Sequence, residues 1–184
     1  MKLIATHNSG TGEPSKNWFY RLMTPIAKCQ FGTIAEQYMQ GCSYLDLRVR
    51  ECDDSGHYRL CHGLWKSKIT LDEALQTLTE LSIEHDRPIV TLFYEGSLTD
   101  EEHQQWFLAD MMRYKKEYPN VEVAIIGVKK PTWHSLVVYR DVPIYSDFAK
   151  ITGWRAFIPF PILHWYFRHS PVFNNDVYTM VDFL

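Results

Sequence analysis

The stretch SYLDLRVR, residues 43–50, decides the fold class of this chain. Its apolar and polar side chains alternate with a period of two, which is the pattern of a β-strand. One face of this strand is apolar and should pack against covering helices, through Leu45, Leu47 and Val49. The opposite face carries Asp46 and Arg48, two positions apart, beside Tyr44. The pattern therefore predicts a strand that is apolar on one face and charged on the other.

Helix and strand patterns alternate on both sides of this stretch. Helices are predicted around 18–23, broken by Pro25, around 33–40, ended by Gly41, and at the capping boxes formed by Thr70 with Glu73 and Thr99 with Glu102. Further strands are predicted at residues 2–6, Ile89–Tyr94, 121–128, 136–139, 142–145 and 177–184. The sequence Asp-Ser-Gly at 54–56 is typical of a hairpin turn after the central strand.

This alternation argues for a parallel sheet, either open or closed into a barrel. A complete eight-fold barrel takes about 250 residues, whereas this chain has 184. We therefore predict an α/β fold, a trimmed or distorted TIM-type (β/α) barrel in which some helices are missing or replaced by loops. No repeat or linker divides the sequence, so residues 1–184 are predicted to form a single domain. The aromatic and proline-rich stretch 152–171 fits no predicted element.

Composition excludes several classes of protein. A net charge of −3 gives no basic footprint for nucleic acid. The sequence has neither a signal peptide nor an uncharged run of about 18 residues, which a spanning helix needs. A cytoplasmic location is therefore expected, unless export follows another route or a signal has been trimmed. The four cysteines have neither zinc nor disulfide-framework spacing and are expected to be reduced thiols: Cys29, Cys42, Cys52 and Cys61.

Polar side chains gather where the predicted strands end. In α/β barrels the reactive groups lie at the carboxyl ends of the strands, so polar residues at those ends should converge. In chain order the residues at such positions are His7, Asn8, Asp46, Arg48, Glu95 and Asp182.

His62 reaches this group through the register of the predicted hairpin. A three-residue loop at 54–56 places His62 across from Arg48, on the same face, with Cβ atoms about 5 Å apart. A four-residue loop would instead place His62 opposite Leu47, on the other face. The prediction that His62 joins the group therefore depends on one residue of register.

Two histidines, an arginine and carboxylates at converging strand ends are typical of phosphodiester chemistry. One imidazole takes a proton from the nucleophile, and the other gives a proton to the leaving oxygen. A guanidinium matches the geometry of phosphate and offsets the charge that grows on its oxygens. Taken singly these residues are more often structural; Asp46 and Arg48, for example, would equally form a buried ion pair.

The same residues stand in an order that resembles a known family, the X domain of phosphatidylinositol-specific phospholipases C. The likeness covers roughly the first 95 residues and the end of the chain. It rests on THNSGT at 6–11, CQ at 29–30, TIAEQYMQGCSYLDLRV at 33–49, HG at 62–63, a strand ending in Glu95, and VDFL at 181–184.

The resemblance implies a distorted α/β barrel and a specific reaction. A hydroxyl of the inositol ring attacks the phosphate, which releases diacylglycerol and forms a cyclic inositol phosphate. In this reading His7 is the general base, His62 the general acid and Arg48 the cation that binds the phosphate. Asp46 holds the cluster together, and Asp182 fixes the tautomer of His7.

Metal use differs between two types within the family. The calcium-dependent type has an acidic ligand where this chain has Arg48, whereas the bacterial type has arginine there and needs no metal. Arg48 therefore implies an enzyme without a cofactor, although Asn8 and Glu95 resemble residues that help bind the ion in the calcium-dependent type. We predict instead that Asn8 and Glu95 bind substrate, since the amide of Asn8 can both donate and accept hydrogen bonds. Calcium held by Asn8, Asp46 and Glu95 is the alternative, since hard cations prefer several oxygen ligands.

Two other functions stay open at this point. A metal-dependent glycerophosphodiesterase on the same barrel would need more carboxylates than Asp46, Glu95 and Asp182 supply, and would not need Arg48 among them. A catalytically idle module would bind lipid or phosphate without turnover. The expected partner is a phospholipid or a small phosphodiester. The aromatic and arginine-containing segment 154–173 also suggests peripheral membrane contact, near Trp165 and Phe167.

Overall fold

The computed structural model describes residues 4–51, 57–96, 101–127, 137–139, 142–146 and 178–181. The strands within these ranges are β1 (Ile4–Thr6), β2 (Cys42–Glu51), β3 (Tyr58–His62), β4 (Trp65–Thr70), β5 (Ile89–Tyr94), β6 (Glu122–Gly127), β7 (Val137–Tyr139), β8 (Val142–Ser146) and β9 (Tyr178–Val181). The helices are α1 (Trp18–Ala27), α2 (Ile34–Met39), α3 (Leu71–Leu81) and α4 (Glu101–Glu117). None of the described helices is both long and apolar enough to span a membrane.

All the described strands belong to one mixed sheet with a parallel centre. The parallel strands run in the order β6, β5, β2, β1, β9 and β8, and β3, β4 and β7 join them in antiparallel pairs. The predicted α/β class is confirmed. Among the described strands β6 is not paired with β7 or β8, so the sheet is not closed and the TIM-type barrel is not established.

The long strand β2 organises the sheet because it pairs with three others. Residues 42–45 pair with β1 and residues 49–51 pair with β3, while β5 runs along the opposite edge over residues 44–49. Strands β1 and β3 share one edge of β2, and on that edge the pairing with β1 stops before the pairing with β3 begins. The resulting gap at residues 46–48 leaves room for side chains from the loop that follows β1.

The two faces of β2 behave as its alternating pattern predicts. Leu45, Leu47 and Val49 are completely buried in one hydrophobic core with α3, α4 and β5. The helices contribute to this core chiefly through Leu71, Leu75, Leu78, Phe107 and Met111. The opposite face of β2 carries Asp46 and Arg48, which are also buried but stand outside this core. Burying that ion pair requires partners from other elements.

Local signals set the ends of two helices. Thr33 and Glu36 form a reciprocal capping box at the start of α2, which the sequence reading had not assigned, and Gly41 follows the helix at φ 93°. Such a positive φ suits glycine, which has no Cβ to clash. The predicted box of Thr70 with Glu73 is confirmed at the start of α3. Thr99 lies outside the described residues.

The structure differs from the predictions in two elements around α1: one predicted helix end is wrong, and one strand was missed. Pro25 lies inside α1 and does not end it, because it falls in the last turn, where a missing N–H costs only one helical hydrogen bond. The strand β4 was not predicted, because its sequence WKSKIT lacks apolar alternation. The indole of Trp65 in β4 donates to Thr24 Oγ1 at 3.2 Å, which fixes α1 against the sheet.

The hairpin β2–β3 is present, but its predicted register is wrong by one residue. Val49 pairs with Leu60 and Glu51 with Tyr58, so the count that placed His62 across from Arg48 fails. If this register continued to His62, that residue would lie opposite Leu47. In the structure His62 pairs instead with Trp65 of β4. The turn 54–56 lies outside the described residues. The position of His62 is therefore set by the β3–β4 hairpin and by α1 rather than by β2.

Candidate active site

Arg48 lies at the centre of a buried polar cluster, with each guanidinium nitrogen bound to a different side chain. Nη2 lies 2.7 Å from His7 Nε2, Nη1 donates to Glu95 Oε2 at 3.3 Å, and Nε donates to Asp46 Oδ2 at 3.4 Å. The guanidinium also lies over the ring of Phe93, 5.9 Å from its centroid. Only 3% of Arg48 is exposed, so its orientation is set by these partners.

The charge of Arg48 is stabilised by the two carboxylates. Burial by itself lowers the pKa of the guanidinium, but Asp46 and Glu95 together raise that pKa above its ordinary value. The two carboxylates differ in access, since the Asp46 side chain is fully buried whereas 15% of the Glu95 side chain is exposed. Asp46 is therefore a fixed partner of Arg48, and Glu95 is the partner that a substrate can reach.

The contact with Arg48 defines the protonation of His7. An arginine nitrogen only donates hydrogen bonds, so His7 Nε2 must accept the 2.7 Å bond and carries a lone pair. Asn8 Nδ2 lies 3.3 Å from the same nitrogen and can donate to it as well. The ring is thereby held neutral with its proton on Nδ1. A neutral Nε2 beside a cation is the form that a general base requires.

Asn8 connects β1 to the charged face of β2. Its backbone is left-handed, with φ 48°, a conformation that asparagine tolerates better than most residues. In this conformation its N–H donates to Asp46 Oδ2 at 3.2 Å, across the gap in the pairing of β2. Its Oδ1 is buried and accepts no hydrogen bond within the described part of the chain. The side chain therefore retains an unused acceptor, which the surrounding protein encloses.

His62 is oriented by the end of α1. Its Nδ1 lies 2.7 Å from the carbonyl oxygen of Ala27, which can only accept, so Nδ1 carries a proton. The remaining nitrogen, Nε2, is the one at which this imidazole would exchange a proton with a ligand. A backbone carbonyl that fixes a histidine tautomer in this way is a common arrangement at catalytic sites.

Cys29, for which the sequence predicts no role at the site, links the two histidine environments. Its Sγ lies 3.8 Å from His62 Nδ1 and 3.5 Å from Asn8 Nδ2, while its N–H donates to Thr11 Oγ1 at 2.9 Å. Its neighbour Gln30 is fully buried and donates to the backbone oxygen of His7 at 2.8 Å. The dipeptide CQ at 29–30 was part of the family resemblance, which was the available signal for both residues.

Glu95 joins the hairpin to the cluster. Its Oε1 accepts from the N–H of Gly63 at 3.3 Å, while Oε2 accepts from Arg48. Gly63 has φ 57° and follows His62 in the β3–β4 turn, so this bond ties the segment next to His62 to the charged face of β2. The predicted register of the hairpin was wrong, but His62 still lies at the site, because Glu95, Ala27 and Cys29 position it there from other parts of the fold.

The predicted residues converge in large part. His7, Asn8, Asp46, Arg48 and Glu95 are connected by direct contacts, and His62 is linked to them through Cys29. Asp182 lies outside the described residues. The described residues contain no group of three or more His, Cys, Asp or Glu side chains arranged to hold a metal ion. Both carboxylates of the cluster are turned toward Arg48.

The two other described cysteines are core thiols. Cys42 and Cys61 are buried, Cys29 is half-buried, and none of the three forms a disulfide. Burial raises the pKa of Cys42 to about 11 and that of Cys61 to about 12. These thiols are therefore protonated at neutral pH and unreactive. Cys52 lies outside the described residues.

Comparison with known proteins identifies the fold. No protein-family model and no curated protein sequence matches the chain. Among solved structures it is similar to the phosphatidylinositol-specific phospholipase C from Listeria monocytogenes, with TM-score 0.51 and 12% identity, covering 82% of this chain and 61% of that chain. It is also similar to a variant of the corresponding Staphylococcus aureus enzyme, with TM-score 0.61 and 12% identity, covering 98% of this chain and 84% of that chain.

A second Staphylococcus aureus structure, described in terms of modulation of membrane binding, gives TM-score 0.55 and 11% identity, covering 98% and 85% of the two chains. The chain thus spans less than two thirds of the Listeria enzyme. At these identities the similarity establishes a shared fold. The fold implied by the family resemblance is therefore supported by structure, while the activity has to be argued from the site itself.

Proposed function

We propose that this protein is a phosphodiesterase of the phospholipase C type, which cleaves phosphatidylinositol or a related phosphodiester. The observation that carries this proposal is the 2.7 Å contact between His7 Nε2 and Arg48, inside a cluster that also includes Asp46 and Glu95. This contact supplies a neutral base directly beside a cation, and attack on a phosphate anion requires both groups together.

In the first step the hydrogen bond from Arg48 Nη2 to His7 Nε2 opens as the guanidinium turns to the phosphate, and the freed lone pair of Nε2 takes the proton of the attacking hydroxyl. The hydroxyl oxygen forms a bond to phosphorus, and Arg48 offsets the negative charge that grows on the phosphate oxygens. Arg48 Nη1 already donates to the Glu95 carboxylate. An incoming phosphate must therefore either replace that carboxylate or accept from Nη1 together with it. Glu95 is the partner with solvent access, so it can turn toward substrate hydroxyl groups while Asp46 keeps Arg48 in place.

In the second part of the reaction His62, which has to enter the reaction protonated on both nitrogens, gives the proton on Nε2 to the leaving oxygen. The bond from phosphorus to that oxygen breaks, and the cyclic phosphodiester forms when the attacking hydroxyl belongs to the same head group. His62 is suited to this role because the Ala27 carbonyl holds its other nitrogen. Asn8 Oδ1 is the proposed acceptor for a substrate hydroxyl, since it has no donor among the described residues.

Asp182 is proposed as the acceptor for the Nδ1 proton of His7. The pairing of β1 with β9 supports this, because Thr6 pairs with Val181 and Asp182 is the next residue in the chain. A carboxylate there would stabilise the imidazolium that forms when His7 takes the proton.

A release assay on phosphatidylinositol tests the proposed function. We expect a water-soluble cyclic inositol phosphate as the product, and we expect glycerophosphodiesters to be poorer substrates. The reverse preference, with turnover that depends on added metal, would identify a glycerophosphodiesterase. Saturable binding of inositol phosphates without turnover of either substrate class would identify an idle binding module.

Chelation is expected to leave the activity unchanged, within about twofold, because we propose that Arg48 supplies the positive charge that a metal ion would otherwise supply. Asp46 and Glu95 both accept hydrogen bonds from Arg48, whose positive charge occupies the place between them. The measurement is turnover in excess EDTA compared with turnover in added calcium. Complete loss in EDTA that calcium alone restores would show that Asn8, Asp46 and Glu95 bind the ion instead.

We also propose peripheral contact with a phospholipid surface through α1. Three large apolar side chains of this helix are exposed, namely Trp18 (74%), Leu22 (69%) and Phe19 (50%). The same helix ends at Ala27, which contacts His62, so a surface bound through α1 would lie close to the site. Exposed Trp and Leu beside an exposed arginine, Arg21, suit the head-group region of a membrane.

The variant Trp18→Ala, Leu22→Ala is expected to bind vesicles containing phosphatidylinositol at least about tenfold more weakly, because burial of each side chain contributes about 1.5–3 kcal/mol. Vesicle co-sedimentation measures the effect. Ile83→Ala removes an equally exposed side chain (75%) after α3 and serves as the control.

The earlier candidates Trp165 and Phe167 lie outside the described residues and form a second arm of this experiment. Loss of binding only in the Trp165→Ala, Phe167→Ala variant would assign the contact to that segment and not to α1.

A further inference from the structure

Thr11 lies in the loop after β1, and the proposed reaction gives it no role. The residue is almost completely buried. Its N–H and its hydroxyl both donate to the backbone oxygen of Asn8, at 2.9 and 2.8 Å. Its Oγ1 also accepts from the N–H of Cys29 at 2.9 Å. One buried hydroxyl therefore joins the segment that carries His7 to the segment that follows α1.

The two glycines beside Thr11 hold this hydroxyl in place. A Cβ added to Gly10 would lie 2.8 Å from Cβ of Leu60 in β3. A Cβ added to Gly12 would collide with the backbone oxygen of Gly32. Both neighbours of Thr11 are therefore packed closely, one against the sheet and the other against the chain after α1. A loop packed in this way cannot shift to follow a displaced partner.

The segment after α1 also determines where the proposed general acid lies. The carbonyl oxygen of Ala27, the last residue of α1, is 2.7 Å from His62 Nδ1. Sγ of Cys29 is 3.8 Å from the same nitrogen. The bond from the Cys29 N–H to Thr11 lies two residues beyond Ala27. This bond fixes the path of the chain as it leaves the helix, and with it the orientation of the carbonyl that holds His62.

The segment that carries the proposed base depends less on the Thr11 hydroxyl. The N–H of Asn8 donates to Asp46, and the N–H of Thr11 donates to the oxygen of Asn8. The side chain of Gln30 donates to the backbone oxygen of His7. Removing the hydroxyl leaves these three bonds in place. The bond that is lost is the one that holds the backbone after α1, and a long side chain such as that of Gln30 holds this backbone less closely.

We propose that Thr11 is a positioning residue for His62, whose hydroxyl holds the chain after α1 so that the Ala27 carbonyl keeps the imidazole directed at the leaving oxygen. This inference rests on the proposed phosphodiesterase reaction, in which His62 is the general acid. Proton transfer requires hydrogen-bond geometry between the acid and the departing oxygen. A small displacement of the imidazole therefore slows the step that needs the acid and leaves the binding of substrate unchanged.

Thr11→Val tests the proposal, because valine keeps the shape of threonine without its hydroxyl. With phosphatidylinositol we expect kcat to fall about tenfold and KM to stay within about twofold, as for an acid that is present but misplaced. With a nitrophenyl ester of inositol phosphate, whose leaving group needs no proton, kcat should stay within about twofold. Thr11→Ser keeps the hydroxyl and should restore kcat on the lipid to within about twofold of the original value.

Thr77→Val is the matched control. The hydroxyl of Thr77 also donates to a backbone oxygen, that of Glu73 at 2.8 Å within α3, so its loss should leave both substrates unaffected. Thermal unfolding shows that each purified variant is folded at the assay temperature. If Thr11→Val is not, Thr11→Cys replaces it, since a thiol is a weaker acceptor at the same place. Equal losses with both substrates, a loss confined to KM, or no rescue by Thr11→Ser would overturn the proposal.

Nitrogen-15 NMR of the histidines provides a measurement that does not need turnover. At about pH 9, where histidine is normally neutral, His62 should carry its proton on Nδ1, because the Ala27 carbonyl accepts it. In Thr11→Val a measurable fraction of this proton should move to Nε2, with the signals assigned by comparison with His62→Ala. An unchanged tautomer in the folded variant would overturn the proposal. A shifted tautomer in a protein without any turnover would refute the proposed function and leave the positioning of His62 by Thr11 intact.

Discussion

Replacing His7 with alanine is expected to lower turnover of phosphatidylinositol at least ~10²-fold, the usual size of a general-base contribution. The reason is that His7 supplies the only imidazole in contact with Arg48 among the described residues. His7 lies at the end of a strand and is only partly buried, so the variant should unfold at nearly the same temperature as the original protein. Product release under saturating substrate measures the effect.

Replacing His62 with alanine is expected to produce a loss of similar size, but one that depends on the leaving group. A general acid matters when the departing oxygen is a poor leaving group, as the lipid alkoxide is. With an aryl ester of the same phosphate, whose phenolate leaves without a proton, His62→Ala should retain most of its turnover. His7→Ala should stay slow with both substrates, because the attacking hydroxyl is unchanged.

The pH dependence separates the two histidine roles further. In the bell-shaped profile expected for a base and an acid, His7→Ala should remove the ascending limb and His62→Ala the descending limb. His57→Ala replaces an exposed histidine at the start of β3 and serves as the matched control. Near-original turnover in either purified catalytic variant, or equal sensitivity of both to the leaving group, would refute these assignments.

The second large effect concerns the buried ion pair of Arg48 with Asp46. Replacing Arg48 with methionine is expected to lower the free energy of unfolding by about 3–5 kcal/mol, the usual cost of leaving a buried charge unpaired. Asp46 is completely buried and would lose its cation, whereas Glu95 retains access to solvent. Activity should be lost at the same time, because nothing else in the cluster offsets the charge of the phosphate.

A double variant separates stability from chemistry. In Asp46→Asn, Arg48→Met the buried charge is removed on both sides, and asparagine still accepts from the N–H of Asn8. Most of the lost stability should return while turnover stays absent. Arg113→Met, in which an exposed ion pair with Glu117 is removed, should change stability by about 0.5 kcal/mol or less.

Denaturant unfolding and the release assay together measure both quantities for these variants. Recovery of activity in the double variant would show that Arg48 is a structural ion-pair partner and not the phosphate-binding cation.

The faces of β2 were predictable from sequence because strand geometry is local. A period of two places Leu45 and Leu47 on one face whatever the rest of the chain does, and the structure buries both in the helix-covered core. The capping box of Thr70 with Glu73 was equally readable, since both hydrogen bonds lie within four residues.

The placement of His62 was not predictable, because it depends on hairpin register. The turn chemistry at 54–56 is compatible with more than one loop length, and a shift of one residue reverses the face of every side chain that follows. The observed pairing of Val49 with Leu60 contradicts the predicted alignment. His62 nevertheless reaches the cluster, because the ends of α1 and β5 approach it independently of β2.

By itself the sequence determined most of the elements, the faces of the central strand and the set of residues able to do acid–base chemistry. Those properties follow from neighbours within a few positions of the chain. Only the tertiary structure decided that Arg48 is held by Asp46 and Glu95 and that Ala27 and Cys29 border His62. It also decided that β2 pairs with β1 along one edge and with β5 along the other. Each of these contacts joins residues far apart in sequence, and which distant groups meet depends on how all the elements pack together.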